Sequence, residues 1–110
     1  MRMPNGNKAD LGTKLDDYIL NMAHHEGRHK ARVFESVLGI TPGNSGALRQ
    51  ALLGAAATSD AAESRGERQY GTIYGIHFSL RTAKGTASVL SVWIIRDGED
   101  FPRLTTCYIV

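Results

Sequence analysis

Nine residues, His24 to Arg32, hold three of the four histidines and three cations, Arg28, Lys30 and Arg32. Imidazole exchanges protons near neutral pH, while Lys and Arg supply fixed positive charge. Such a run can move a proton or hold an anion without a cofactor. The competing reading is a solvated helix start, because charge clusters often do no more than face water. His24 stands ahead of the expected helix and is the acid/base candidate. Lys30 is placed to hold a phosphate near the helix start, where backbone N–H groups favour anions. Arg28, His29 and Arg32 cannot all face one ligand at helical spacing.

The same run contains His25-Glu26-Gly27-Arg28-His29. Two histidines one helical turn apart, with a glutamate as base, form the zinc-protease pattern. Here Gly27 interrupts the helix that would align them, at about 1 kcal/mol of propensity. Arg32 and Glu35 occupy the positions where the extended motif needs glycine and a third histidine. No metal and no cofactor are therefore expected.

The elements that position these residues follow from spacing. The chain's 110 residues suit one domain, and Met1–Asp10 lacks the apolar stretch of a signal peptide. Residues 1–12 read as a disordered start and 13–110 as the domain. Its apolar runs are too short for a bilayer, so no membrane partner is expected. The expected compartment is the cytoplasm, or that of another cell if the chain is delivered as an effector. A net charge of +2 is too small to argue for nucleic acid by itself. Cys107 is the single cysteine, so no internal disulfide forms, and its apolar surroundings predict a buried thiol.

Thr13 reads as an N-cap, with Leu15, Tyr18, Ile19 and Met22 as one helical stripe. A second helix should bury Ala31, Phe34, Val37 and Leu38 and stop at Gly39. After the Thr41–Ser45 turn, Leu48, Ala51, Leu52 and Ala55 give a third. Residues 54–66 are rich in Ala, Ser and Gly and read as a frayed helix end or a loop. From Tyr70 the period becomes two: Tyr74, Ile76, Phe78 and Leu80 face one way, Ile73, His77 and Ser79 the other. Ala87 to Ile95 is apolar on both faces and predicts a central strand covered on both sides. Asp97-Gly98 turns the chain into a last strand, Arg103 to Val110. Helices first and strands afterwards predict an α+β fold, with two or three N-terminal helices on one face of a three- to four-stranded antiparallel sheet.

Lys14-Leu15, Asp17-Tyr18-Ile19-Leu20-Asn21, His24, Gly27-Arg28-His29-Lys30-Ala31, Phe34, Leu38-Gly39, Val92-Trp93-Ile94-Ile95, Gly98 and Pro102 to Tyr108 together resemble an uncharacterised family of small bacterial toxin-like domains. That family pairs a KLxDYLLN…H…GxxKAxxF front with a VWI…PRLVTAY end. The resemblance covers nearly the whole chain, and His25 stands where the family commonly has proline. The order of elements is also similar to the barnase, EndoU, colicin and RelE ribonuclease toxins, an analogy of fold that does not by itself fix function.

That analogy implies metal-independent RNA cleavage, in which a 2′-hydroxyl attacks the adjacent phosphate. The reaction needs a proton acceptor, a proton donor and cations for the added negative charge. The expected catalytic residues are His24, Lys30 and Thr106, with Arg28, Arg32 and Arg103 holding RNA and His77 as a substitute histidine should His29 point away. Tyr108 and Trp93 read as core rather than as stacking platforms. An immunity or antitoxin protein is the expected partner. The alternative is a non-catalytic module whose basic face docks a protein or a nucleic acid. The order of elements predicts a shallow cleft between the start of the second helix and the last strand, lined by His24, Lys30 and Thr106 with Arg28 or Arg103 at its edge. Thr106 is placed there on the helix-facing side of the sheet, while Leu104 and Tyr108 continue the core.

Overall fold

The computed structural model describes residues 1–25 and 28–110. It is an α+β arrangement in which helical segments come first and a meander of four antiparallel strands follows: β1 (Glu63–Arg68), β2 (Gly71–Arg81), β3 (Thr86–Arg96) and β4 (Arg103–Ile109), in spatial order β1-β2-β3-β4. The helical layer holds a π-helical turn, Leu15–Ile19, then α1 (Arg28–Val33), which runs on as a second π-helical turn, Phe34–Leu38, and finally α2 (Gly46–Thr58). Gly39 ends the second of these with φ 69°, a left-handed conformation that glycine adopts without steric cost.

Both π-turns shift the expected stripes. In the first, the Leu20 N–H donates to the Leu15 carbonyl, and Leu15, Ile19 and Leu20 are all buried. Met22, expected at the next position of an α-helical stripe, is 41 % exposed, and Val37 is likewise 37 % exposed. A wider turn changes which residues share a face.

The strand register divides the sheet into two faces. Towards the helices lie Ile76, Leu80, Val89, Ser91, Trp93, Leu104 and Cys107, all buried. The Trp93 indole N–H donates to the Ser91 hydroxyl, which in turn donates to the Ile76 carbonyl, so the polar groups in this core are satisfied. The opposite face bears Ile73, Gly75, His77, Leu90, Val92, Ile94, Thr106 and Tyr108. No helix of the described residues packs there, since the core cluster joins the helices to the first face only. The expectation that β3 is covered on both sides is therefore corrected. Its second apolar face is half-buried at Val92 and Ile94, although Leu90 is buried.

The register also moves within β4. Val92 pairs with Thr106 but Trp93 with Leu104, which makes Thr105 the extra residue of a β-bulge. A bulge reverses the side-chain alternation beyond it. Leu104 and Cys107 consequently face the helices while Thr106 and Tyr108 face away, rather than all three of Leu104, Thr106 and Tyr108 sharing the core side.

The stretch 1–12, expected to be disordered, is structured, and of 54–66, expected as a frayed helix end or a loop, residues 54–58 finish α2 while the rest leads into a strand. In residues 1–12, Met3 and Leu11 join the core, and Asp10 forms a bridge to Arg103 at the start of β4. Residues 63–68 form β1, an edge strand whose side chains are all exposed. Charged edge strands discourage pairing with a further chain.

Cys107 is the buried thiol expected from sequence, with no exposed surface. Burial pushes its pKa up to about 12 from an ordinary 9.0, and the nearby Lys30 charge offsets only part of this. The sign follows from comparing the two states. The unfolded chain ionises this thiol above its ordinary value and the folded chain does not. This contribution to stability is thus intact below pH 9.0 and is lost as pH rises towards about 12. Between those limits wild type should lose up to about 1.4 kcal/mol per pH unit more than Cys107→Ala does. Urea unfolding of both proteins across that range measures it, and parallel curves would show that the thiol contributes nothing.

Candidate functional site

Because β4 is an edge strand, paired beyond β3 only at its start by Asp10, a lysine from the helical layer can reach a side chain on the far face by passing that edge. Lys30 does so. Its Nζ donates to Thr106 Oγ1 at 3.3 Å. The same ammonium lies 5.0 Å from the centre of the Tyr108 ring and 5.6 Å from that of Tyr18, so a half-buried cation stands between two aromatic rings. The Tyr18 ring meets the His24 imidazole edge-on, with centroids 4.8 Å apart, and Lys14 Nζ is 5.8 Å from the same Tyr18 ring.

A cleft of about 560 Å³ opens beside this cluster, lined by Thr13, Lys14, Asp17, Tyr18, His24, Thr105 and Thr106. The first π-turn presents Asp17 and Tyr18 to it, while Leu15 and Ile19 of that turn fasten it to the core. The β4 bulge supplies Thr105 and Thr106 from consecutive positions, which regular alternation would send to opposite faces.

Of the residues singled out from sequence, His24 and Thr106 line the cleft, and Lys30 is bound to Thr106 at its wall. The others lie elsewhere. Arg103 donates from Nε and Nη2 to the Glu99 carboxylate at 2.9 and 2.8 Å, and from Nη1 to Asp10 at 3.5 Å. This holds the Glu99 carboxyl below its usual range, and the arginine ties the β3–β4 turn to the N-terminal segment. Arg28 is exposed at the start of α1. Arg32 borders a separate surface hollow with His29, so His29 points away from the cleft. His77 is exposed on the helix-free sheet face, in the same cross-strand row as Leu90 and Tyr108.

Sequence reading missed Lys14, Asp17 and Tyr18 as site residues. Tyr18 falls by spacing in the apolar stripe of the first helix, which masks its polar end. The available signal was the spacing of Lys14 and Tyr18, four positions apart with Asp17 between them, which puts cation and ring on one side of a turn.

Glu26 and Gly27, the centre of the zinc-protease pattern, lie outside the described residues. Among the described residues no group of three or more His, Cys, Asp or Glu side chains is placed to hold a metal ion. None of their helices is long and apolar enough to cross a membrane.

A family described as a domain of unknown function, DUF6883, matches residues 2–110. The chain belongs to this family. No curated protein and no solved structure matches it. The match spans helical layer and sheet alike, so the cleft lies wholly within the DUF6883 domain.

The opening is lined by the His24 imidazole, the Lys14 ammonium, the Asp17 carboxylate and the Thr105 and Thr106 hydroxyls, and the Lys30 ammonium is bound to Thr106 beside it. This arrangement can accept an anion with several oxygens and exchange a proton with it.

Proposed function

We propose that this DUF6883 domain is a metal-independent ribonuclease of the bacterial toxin or effector type, restrained by an immunity or antitoxin protein. The observation that supports the reading best is the Lys30 ammonium, 3.3 Å from the Thr106 hydroxyl at the wall of the cleft that His24 lines. In this mechanism His24 takes the proton from a ribose 2′-hydroxyl as that oxygen attacks the adjacent phosphorus. Lys30 faces the negative charge that builds on the phosphate and gives a proton to the departing 5′-oxygen. Thr106 orients a non-bridging phosphate oxygen. The products are a 2′,3′-cyclic phosphate and a 5′-hydroxyl, and solvent resets both side chains. Lys14, across the cleft, adds a second cation for the substrate backbone.

Expression in a bacterial cell without the inhibitor should arrest growth with loss of RNA, and His24→Ala should relieve the arrest at equal protein level. A wild-type chain that accumulates harmlessly and leaves RNA intact would contradict the proposal.

A further inference from the structure

The sheet face turned away from the helices has a composition that the cleft does not explain. Its floor is apolar, with Leu90 buried although it lies outside the core cluster and Ile73, Val92 and Ile94 half-buried beside it. Its charge is one-sided. Arg81 and Arg96 fall on this face by register. The Arg65 guanidinium lies over Gly75, in the space that a Cβ of that glycine would fill. All three arginines are exposed, and none forms a salt bridge with a described residue. The carboxylate that register brings to the same side is Glu63, paired with Gly75 on the edge strand.

Aromatic rings stand at two ends of this floor. Tyr108 flanks Leu90 at the β4 edge, and Tyr70, 69 % exposed, borders a hollow with Ile94 and Arg96. That hollow shares Lys14 and Thr105 with the cleft holding His24 and Thr106, so the two openings are continuous. From Gly71 to Arg81 the face is about 33 Å long at strand rise.

We infer that this helix-free face carries a single-stranded RNA segment running away from the cleft, with Arg65, Arg81 and Arg96 on its phosphates and Tyr108 and Tyr70 under its bases. The inference deepens the ribonuclease reading and rests on it for the choice of RNA. A single strand fits because its bases are free to stack on rings and on an apolar floor, which a duplex does not allow. Arg65 and Arg81, together with Arg96, whose charge Glu99 feels without forming a salt bridge, answer the phosphates. They would also attract an acidic protein, but that occupant does not account for an exposed Tyr70 and a half-buried Tyr108 on a floor continuous with the cleft that holds His24.

The test is equilibrium binding of a fluorescent 2′-O-methyl RNA oligonucleotide, which cannot be cleaved by internal attack, to the full chain at several salt concentrations. Replacing Arg65, Arg81 and Arg96 together by glutamine should raise Kd about a hundredfold at 0.1 M salt and flatten the log–log salt dependence by about 2. Each single change should contribute a part of this. Arg32→Gln, on the helical side, should leave Kd within about twofold. Melting curves that match wild type exclude misfolding. Triple and wild-type chains binding alike, or a wild-type chain that ignores the oligonucleotide at low salt, would overturn the inference; the second outcome leaves the face to an acidic protein. Arginine-dependent binding with no cleavage of ordinary RNA would sink the catalytic proposal and leave this surface standing.

Discussion

Lys30→Met should lower the rate of RNA cleavage by about two to three orders of magnitude while the chain stays folded. The size follows from the role: a donor or cation aimed at charge that develops only in the transition state is typically worth about 10²–10³ in rate. Methionine keeps an apolar stem of similar length between the Tyr18 and Tyr108 rings, so packing at the edge of β4 survives. Two cation–π contacts and one hydrogen bond to Thr106 are lost. At a half-buried site those should cost only about 1–2 kcal/mol of stability. Arginine is not an equivalent replacement, because its planar fork is larger and holds its proton too firmly to donate it. Single-turnover cleavage measured alongside thermal melting separates the two effects. An unchanged rate would remove Lys30 from the mechanism.

The largest stability effect should come from Trp93→Ala. Trp93 is fully buried in the middle of β3 and belongs to the core that joins sheet and helices. Truncating a buried tryptophan costs about 3–5 kcal/mol. Against a total of about 5–15 kcal/mol for a domain, that is a large share. The Ser91 hydroxyl keeps its bond to the Ile76 carbonyl after the indole is gone, so the loss is one of packing rather than of a stranded polar group. Met22→Ala and Val37→Ala should each shift stability by less than about 0.5 kcal/mol, since both side chains are substantially exposed. Urea midpoints report all three. Equal losses at Trp93 and Met22 would mean that the core is assigned wrongly.

The contrast between those residues shows what a sequence does and does not make legible. Period-two alternation placed β2 and its faces correctly, because Ile76 and Leu80 go inward and His77 outward under any register. Gly39 marked a helix end because few other residues reach its φ cheaply. The π-turns were not legible. Their effect is to move Met22 and Val37 off the core by widening a turn, and apolar spacing alone cannot distinguish five residues per bond from four. β1 carries no apolar residue at all and exists because β2 offers it an unpaired edge. The Thr105 bulge is likewise invisible locally, since it is defined by the partner strand.

The candidate site divides along the same line. His24, Lys30 and Thr106 could be singled out by chemical type and by the family resemblance, and they do come together. The proposed route was different, however: Thr106 was expected on the helix-facing side, whereas it lies on the other face and is met around the sheet edge. Arg103 has the right charge but two carboxylates close enough to occupy it. Spacing along the chain carries no information about Asp10, ninety-three positions away.

The central claim is that the cleft cleaves RNA through the ribose 2′-hydroxyl. It is tested most directly by incubating the purified wild-type chain with a chelator and an RNA oligonucleotide, in parallel with one carrying a single 2′-deoxyribose at the cleaved position, and identifying the product ends. The expected result is a 2′,3′-cyclic phosphate and a 5′-hydroxyl from the first, no cut at the deoxy position of the second, and loss of both products in His24→Ala. Cleavage that persists at the deoxy position, or that survives His24→Ala undiminished, would contradict the account.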